Sequence, residues 1–218
     1  IVGTSLALVV VAGGVYTWRA AEPIPPPLVS DDGLPPMPDP ETNGWKHIAS
    51  LEGTDALDLE NHAFFALRAT RDELSSHEER WQTLVEARSS LRTTVEGSAR
   101  ADALAAWHEA AASPMFDAGE GASGQVLDYY RVQELALAEA AWCAVDDRWR
   151  DADRRLAEAL RMDAAMLSSA RSPLAATAAA SAIPATLALA QLLGRQHGWA
   201  NLPRLAHVTS TLDDEPSS

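Results

Sequence analysis

The sequence predicts an all-α protein: a single N-terminal transmembrane helix, a Pro-rich extended linker and a helical bundle. Three observations predict it. Residues Ile1 to Trp18, "IVGTSLALVVVAGGVYTW", carry no charge. Eight of the thirteen prolines fall between residues 20 and 43. From Asn43 onward, apolar residues recur at helical spacing, and no stretch reads convincingly as a strand.

The first element, residues 1–19, is read as a membrane anchor. Eighteen helical residues span about 27 Å, close to the hydrocarbon thickness of a bilayer. Tyr16 and Trp18 stand where interfacial aromatics sit, and Arg19 follows at the water side. A cleaved signal peptide is the competing reading. Cutting after Ala20 or Ala21 puts Trp18 or Arg19 where cleavage wants a small residue, so an uncleaved anchor is expected. Gly3-xxx-Ala7 and Gly13-xxx-Thr17 have the spacing that lets a second helix approach. The implied membrane partner is the lipid bilayer, met by residues 1–18.

Residues 20–43, "AAEPIPPPLVSDDGLPPMPDPETN", are read as linker. Pro25-Pro26-Pro27 favours polyproline II, and Asp31-Asp32-Gly33 signals a turn. Fully extended, the segment reaches about 70 Å. A disordered spacer needs no apolar side chains, yet Ile24, Leu28, Val29, Leu34 and Met37 are present. They are candidate partner contacts of a strap laid along another protein's surface.

Residues 44–208 are read as the helical domain, followed by an acidic tail over 209–218. Asn43 is placed to cap a short helix through Trp45 and Ile48. Leu57, Phe64, Leu67, Arg71 and Leu74 mark one face of the next segment. Trp81, Leu84, Val85, Arg88, Leu91 and Val95 trace a third stripe, ending at Glu96-Gly97. Ser98 is placed to cap a fourth helix with Ala103, Leu104, Trp107 and Ala110 inward, stopped by Pro114. Pro114, Gly119, Gly121 and Gly124 mark a loop. A fifth helix runs from about Gln125 to Val145, with Tyr130, Leu137, Ala141 and Ala144 on one face. After the turn Asp146-Asp147-Arg148, a sixth runs from about Trp149 to Ser168. Ser172-Pro173 is a cap followed by a first-turn proline, so a seventh starts there. A short helix follows Pro203.

The seventh helix poses its own question. Leu174 to Leu193 is uncharged and long enough to span a membrane. It is dominated by alanine, carries Thr177, Ser181, Thr186 and Gln191, and contains Pro184. It is therefore expected to be the most buried helix of the bundle, kinked at Pro184, with a second span as the minority reading.

The fifth and sixth helices, "LALAEAAWCAVDDRWRDADRRLAEALRMD", resemble one tetratricopeptide-type helical hairpin. Ala152, Leu156 and Ala159 have the repeat's small-large-small spacing, with Trp149 at the aromatic position and Ala140 at the small position of the first helix. Ala103, Trp107, Ala110 and Pro114 repeat the spacing. The copies stand 49 residues apart instead of 34, and Glu139 and Cys143 replace large apolar and aromatic residues. The resemblance covers about a third of the chain and implies a short tetratricopeptide-like solenoid that binds peptides or proteins.

The charge balance excludes some classes of partner. With 17 basic and 31 acidic residues the chain is at −14, which repels phosphate backbones, so no nucleic-acid partner is expected. Lys46 is the only lysine. Acidic, lysine-poor extramembrane segments fit the non-cytoplasmic side, and the alanine-rich composition fits a GC-rich bacterial genome. A periplasmic domain behind an inner-membrane anchor is expected. Cys143 is a lone cysteine in an apolar stretch, read as a small core residue.

No pattern of catalytic or metal-ligating residues emerges. None of the six histidines pairs at metal-binding spacing, and no nucleophile elbow or phosphate loop occurs. Asp146, Asp147, Asp151 and Asp153 lack calcium-loop spacing and alternate with arginines, so a salt-bridged turn is expected. No cofactor is expected. Trp199, in the loop "HGWANLP", is a further candidate partner contact. Together these features imply a non-catalytic, membrane-anchored accessory or scaffold subunit that contacts other membrane-protein subunits. The alternative is a tethered periplasmic module that binds a protein or peptide.

Overall fold

The computed structural model describes residues 41–51, 59, 61–114, 116–117, 126–169 and 173–213. Tyr16, Trp18, Arg19, Ile24, Leu28, Val29, Leu34, Met37 and Leu57 lie outside the described residues. The chain divides into Ile1–Met37 and Pro38–Ser218, and every described residue belongs to the second unit.

Among the described residues there are nine α-helices and no β-strand. They are α1 (Trp45–Ala49), α2 (Asn61–Ala69), α3 (His77–Glu86), α4 (Arg88–Glu96), α5 (Ser98–Ala112), α6 (Val126–Val145), α7 (Trp149–Ser168), α8 (Pro173–His197) and α9 (Pro203–Asp213). A 3₁₀ turn, Trp199–Asn201, joins the last two. The last helix runs past the expected 208 boundary into the acidic segment.

α6 is the centre of the bundle. It packs against α7, α4, α8, α5 and α2. Tyr129, Val132, Leu135, Ala136, Leu137, Ala138, Ala140, Ala141, Cys143 and Ala144 are buried around its circumference. A helix with apolar residues on so many sides is stable only in the interior. Its alanines keep the axis-to-axis distance short, and the three-residue turn after Val145 folds α7 back along it. Asp147 takes φ 61° in that turn, a left-handed conformation that an aspartate tolerates better than most residues.

On α7, Ala152, Leu156 and Ala159 are fully buried. At the far side, α1 closes on α5. A Cβ at Gly44 would lie 2.5 Å from the Ala110 carbonyl oxygen, so only glycine allows this approach. Trp45, Phe116 and Trp107 surround the Tyr129 ring, with centroids 5.6–6.3 Å from it. Burial of each such ring stabilises the fold by about 2–3 kcal/mol.

Several expectations change. α2 ends at Ala69, so Arg71 and Leu74 leave the predicted face; Leu74 is 97% exposed in the turn that follows. The third stripe is two helices divided at Ala87. The division moves Val85 to the surface while Leu84, Leu91 and Val95 stay buried. Ser98 is the first residue of α5 and Gly97 precedes it as the cap. Asn43 does serve α1, its Oδ1 accepting from the Trp45 amide at 3.1 Å, although Gly44 is the cap residue.

α8 is also not the most buried helix. Ala175–His197 is long and apolar enough to cross a membrane, and half of its apolar window is buried inside the bundle. Thr177, Ala180, Ser181, Pro184 and Gln191 form its exposed face. The helix runs unbroken through Pro184. Proline removes the bond to the carbonyl four residues back, that of Ala180, and on this face water can replace it.

Candidate functional site

Aromatic side chains gather at one end of the bundle. Ser76 caps α3 with a reciprocal capping box, its hydroxyl accepting from Glu79 N while Glu79 accepts from Ser76 N at 2.7 Å. The capped start of α3 meets the last turn of α8 through His77 Nε2 and Gln196 Oε1, 3.2 Å apart. One turn on, Trp81 stacks on Trp149 at 5.8 Å, and Trp149 stacks on His197 at 4.1 Å with nearly parallel rings. Trp149 Nε1 donates to Asp147 Oδ1 at 2.6 Å. The Arg148 guanidinium lies 4.2 Å from the Trp142 ring centre.

Two exposed apolar side chains lie close in the chain to this stack. Leu74 lies three residues before His77, and Trp199 lies three residues after Gln196. By chain reach each Cα is within about 11 Å of the Cα of a residue that makes that hydrogen bond. Trp199 is 38% exposed. Its ring lies over Gly194, where a Cβ would stand 2.4 Å from it, so the glycine makes the seat that holds the tryptophan. Trp199 thus keeps both roles open to it, fixing the loop with one face and meeting solvent with the rest. Exposed, rigidly held aromatics are the usual anchors of protein interfaces.

Two polar clusters inside the bundle were missed by sequence reasoning. In the first, Asp163 is completely buried. Tyr129 Oη and Thr186 Oγ1 each donate to its carboxylate at 2.6 Å, and Gln133 Nε2 donates to Thr186 Oγ1 at 2.9 Å. This ties α6, α7 and α8 together. Burial pushes the Asp163 carboxyl up to about 6, against the lowering effect of its three donors. Burial, and then the neighbouring carboxylate, raise the Tyr129 phenol well above its ordinary range. All four members are buried, and their hydrogen bonds latch the three helices together. The signal was present: Ala152, Leu156, Ala159, Asp163 and Met166 form one helical stripe, with a single acid among apolar residues.

The second cluster joins α5, α6 and α7. His108 Nε2 is 3.0 Å from Glu139 Oε2, and His108 Nδ1 is 3.4 Å from Glu158 Oε2. Arg155 reaches Glu139 and Glu158, both at 3.2 Å. Burial opposes the imidazolium, but the two carboxylates outweigh it and raise the His108 pKa. For Glu158, burial is outweighed by His108 and Arg155, and its pKa falls. No group of three or more His, Cys, Asp or Glu placed to hold a metal ion occurs among the described residues.

Of the four aspartates around the α6–α7 turn, Asp146 and Asp151 form ion pairs, while Asp147 accepts from Trp149 Nε1. Asp146 pairs with Arg88 and Arg148, and Asp151 with Arg148 and Arg154. Asp153 instead is buried and accepts from the Arg204 and Leu205 amides at 3.2 and 2.9 Å, capping α9 from a distance. Cys143 is buried, and its thiol is pushed up to about 11 by desolvation, so it is chemically inert at neutral pH.

No protein-family model, curated protein or solved structure matches the chain.

Proposed function

We propose that the protein is a non-catalytic, membrane-anchored accessory or scaffold subunit of a multi-subunit membrane complex. Residues 1–18 anchor it in a bacterial inner membrane, residues 20–43 strap along a neighbouring subunit, and the helical domain docks on the periplasmic side. The observation that carries this reading is the aromatic end of the bundle, a stacked, hydrogen-bonded frame with exposed Leu74 and Trp199 three residues from it in the chain. Burying 97%-exposed Leu74 in a partner offers about 1.5–3 kcal/mol of association energy. The buried Ala140, Ala152, Leu156 and Ala159 support reading α6–α7 as a tetratricopeptide-like hairpin within that scaffold.

The test is the native mass of the full chain, extracted with its membrane in mild detergent. A particle of fixed stoichiometry containing other membrane subunits is expected. The pair Leu74→Glu with Trp199→Ala releases those subunits while the helical circular dichroism is unchanged. A monomeric or simply dimeric wild-type chain sinks the subunit reading.

A further inference from the structure

Three clefts open on the described surface, and they differ in how their charges are satisfied. The one beside Asn61, His62 and Ser90 has no arginine or lysine among its described lining residues. The one beside Trp142 holds Arg88, Arg92 and Arg148, each close to a carboxylate of Asp146 or Glu96. The third lies between α7 and α9, with a volume of about 290 Å³. Arg154, Arg161 and Arg204 line it, with His207 beside them and Glu158 as the one acid among the described lining residues.

Here the positive charge is only partly cancelled: Arg154 pairs with Asp151, while no carboxylate among the described residues pairs with Arg161 or Arg204. Glu158 lines the cleft, and its carboxylate is shared with Arg155 and His108. Arg161 is steadied by a backbone carbonyl, Nη2 donating to Ala111 O at 2.7 Å. Arg154 is held by Asp151 through one nitrogen, while its Nε is buried without a hydrogen-bond partner among the described residues. The Arg204 guanidinium is exposed, and no partner for it occurs among the described residues. The amides at the start of α9 are taken by Asp153, so side chains and not the helix terminus define the site. A chain at −14 has thus collected three of its guanidiniums, from two helices, around one small cavity.

We propose that the α7–α9 cleft binds a soluble phosphate-type oxyanion, inorganic phosphate or a small phosphomonoester. The volume lies at the lower edge for ligand pockets, which suits a small anion and not a nucleotide. Forked guanidiniums from two directions match the several oxygens of phosphate, and their separate anchors hold that geometry before the ligand arrives. The source is soluble because the acidic protein surface repels an anionic bilayer. This site stands apart from the docking end and does not depend on the subunit reading.

The test is calorimetric titration of the full chain in neutral detergent with inorganic phosphate, against chloride at matched ionic strength. Saturable binding is expected with phosphate alone. Arg204→Gln removes an exposed side chain, keeps the melting temperature, and weakens binding by about tenfold or more. Arg204→Lys restores part of the loss, and Arg92→Gln, on α4, leaves affinity unchanged. No saturable binding at millimolar phosphate, or equal affinity in Arg204→Gln, overturns the proposal. Recruitment to phosphatidic acid vesicles without binding of inorganic phosphate overturns the soluble source.

Discussion

α6 and α8 are the two most apolar long helices described, and they lie differently. α6 carries Asp128, Arg131, Glu134 and Glu139, yet it has buried residues on all sides. α8 has no charge between Leu174 and Leu193, yet it turns Thr177, Ser181, Pro184 and Gln191 to the surface. Hydropathy ranked α8 first because it averages over a window. Burial follows the number of neighbours, and α6 packs against helices on every side while α8 packs chiefly against α7 and α6. The charges of α6 are tolerable because partners on other helices meet them, as Arg155 and His108 meet Glu139.

The sharpest way to break this comparison is a matched pair of deletions. Leu135→Ala, in the centre of α6, is expected to cost about 3 kcal/mol in urea unfolding, through lost transfer energy and the cavity left behind. Leu187→Ala, half-buried on α8, costs about 1 kcal/mol. Equal losses would mean that α8 is as central as its hydropathy suggests.

A similar effect rests in the latch that joins the two helices. Asp163 has a folded pKa of about 6, against 3.8 for the free group. The folded state therefore binds the proton more tightly, and this stabilising contribution is complete below 3.8 and lost as pH rises through about 6. Two units correspond to about 3 kcal/mol. Relative to Asp163→Asn, the wild type should gain that amount as pH falls through this window, in paired urea melts. Parallel pH profiles for the two proteins would deny that Asp163 titrates in the fold.

A third test concerns the α8 surface. Pro184→Ala restores an amide donor and a better helix former on an exposed face, and should raise stability by at least about 1 kcal/mol. A loss in a thermal melt would show that the proline is needed for packing. The smallest effect belongs to the α5–α6–α7 ion cluster. The His108 pKa is raised in the fold, so its contribution is present below 6.5 and lost as pH rises through the raised value. With solvent screening it is below about 1 kcal/mol. His108→Gln should remove only that step, above the Asp163 window.

Much of the helix plan was readable in the sequence because local signals carry it. The Asp146-Asp147-Arg148 turn bounds α6 and α7 at Val145 and Trp149, where the sequence places those limits. α8 begins at Pro173 and α9 at Pro203. The buried stripe of α5, Ala103, Leu104, Trp107 and Ala110, follows the spacing. Spacing misled where a helix stopped early. Leu74 continues the periodicity of α2, but the helix ends at Ala69, and the next begins only at the Ser76 cap. Periodicity records which side a residue would face if the helix continued, and it does not record the end.

The clusters were hidden for a different reason. His108, Glu139, Arg155 and Glu158 come from three helices, and Asp163 meets Tyr129, Gln133 and Thr186 from two others. Their sequence separations reach about fifty residues, beyond any local pattern. Even so, an acid on an apolar stripe, as at Asp163, announces that a partner exists without naming it.

By itself, the sequence determined the all-helical class of the described domain, most of its helix limits and the inward faces of α5 and α7, because dihedral preferences, caps and apolar spacing act within a few residues; on α6 it pointed to Tyr130, where Tyr129 is the buried ring. Tertiary structure alone decided which long helix is central, which charges are cancelled, and that Arg154, Arg161 and Arg204 share one cleft. Those outcomes depend on distances between residues far apart in the chain, where the energy of burial and of charge is set by whatever the fold places alongside.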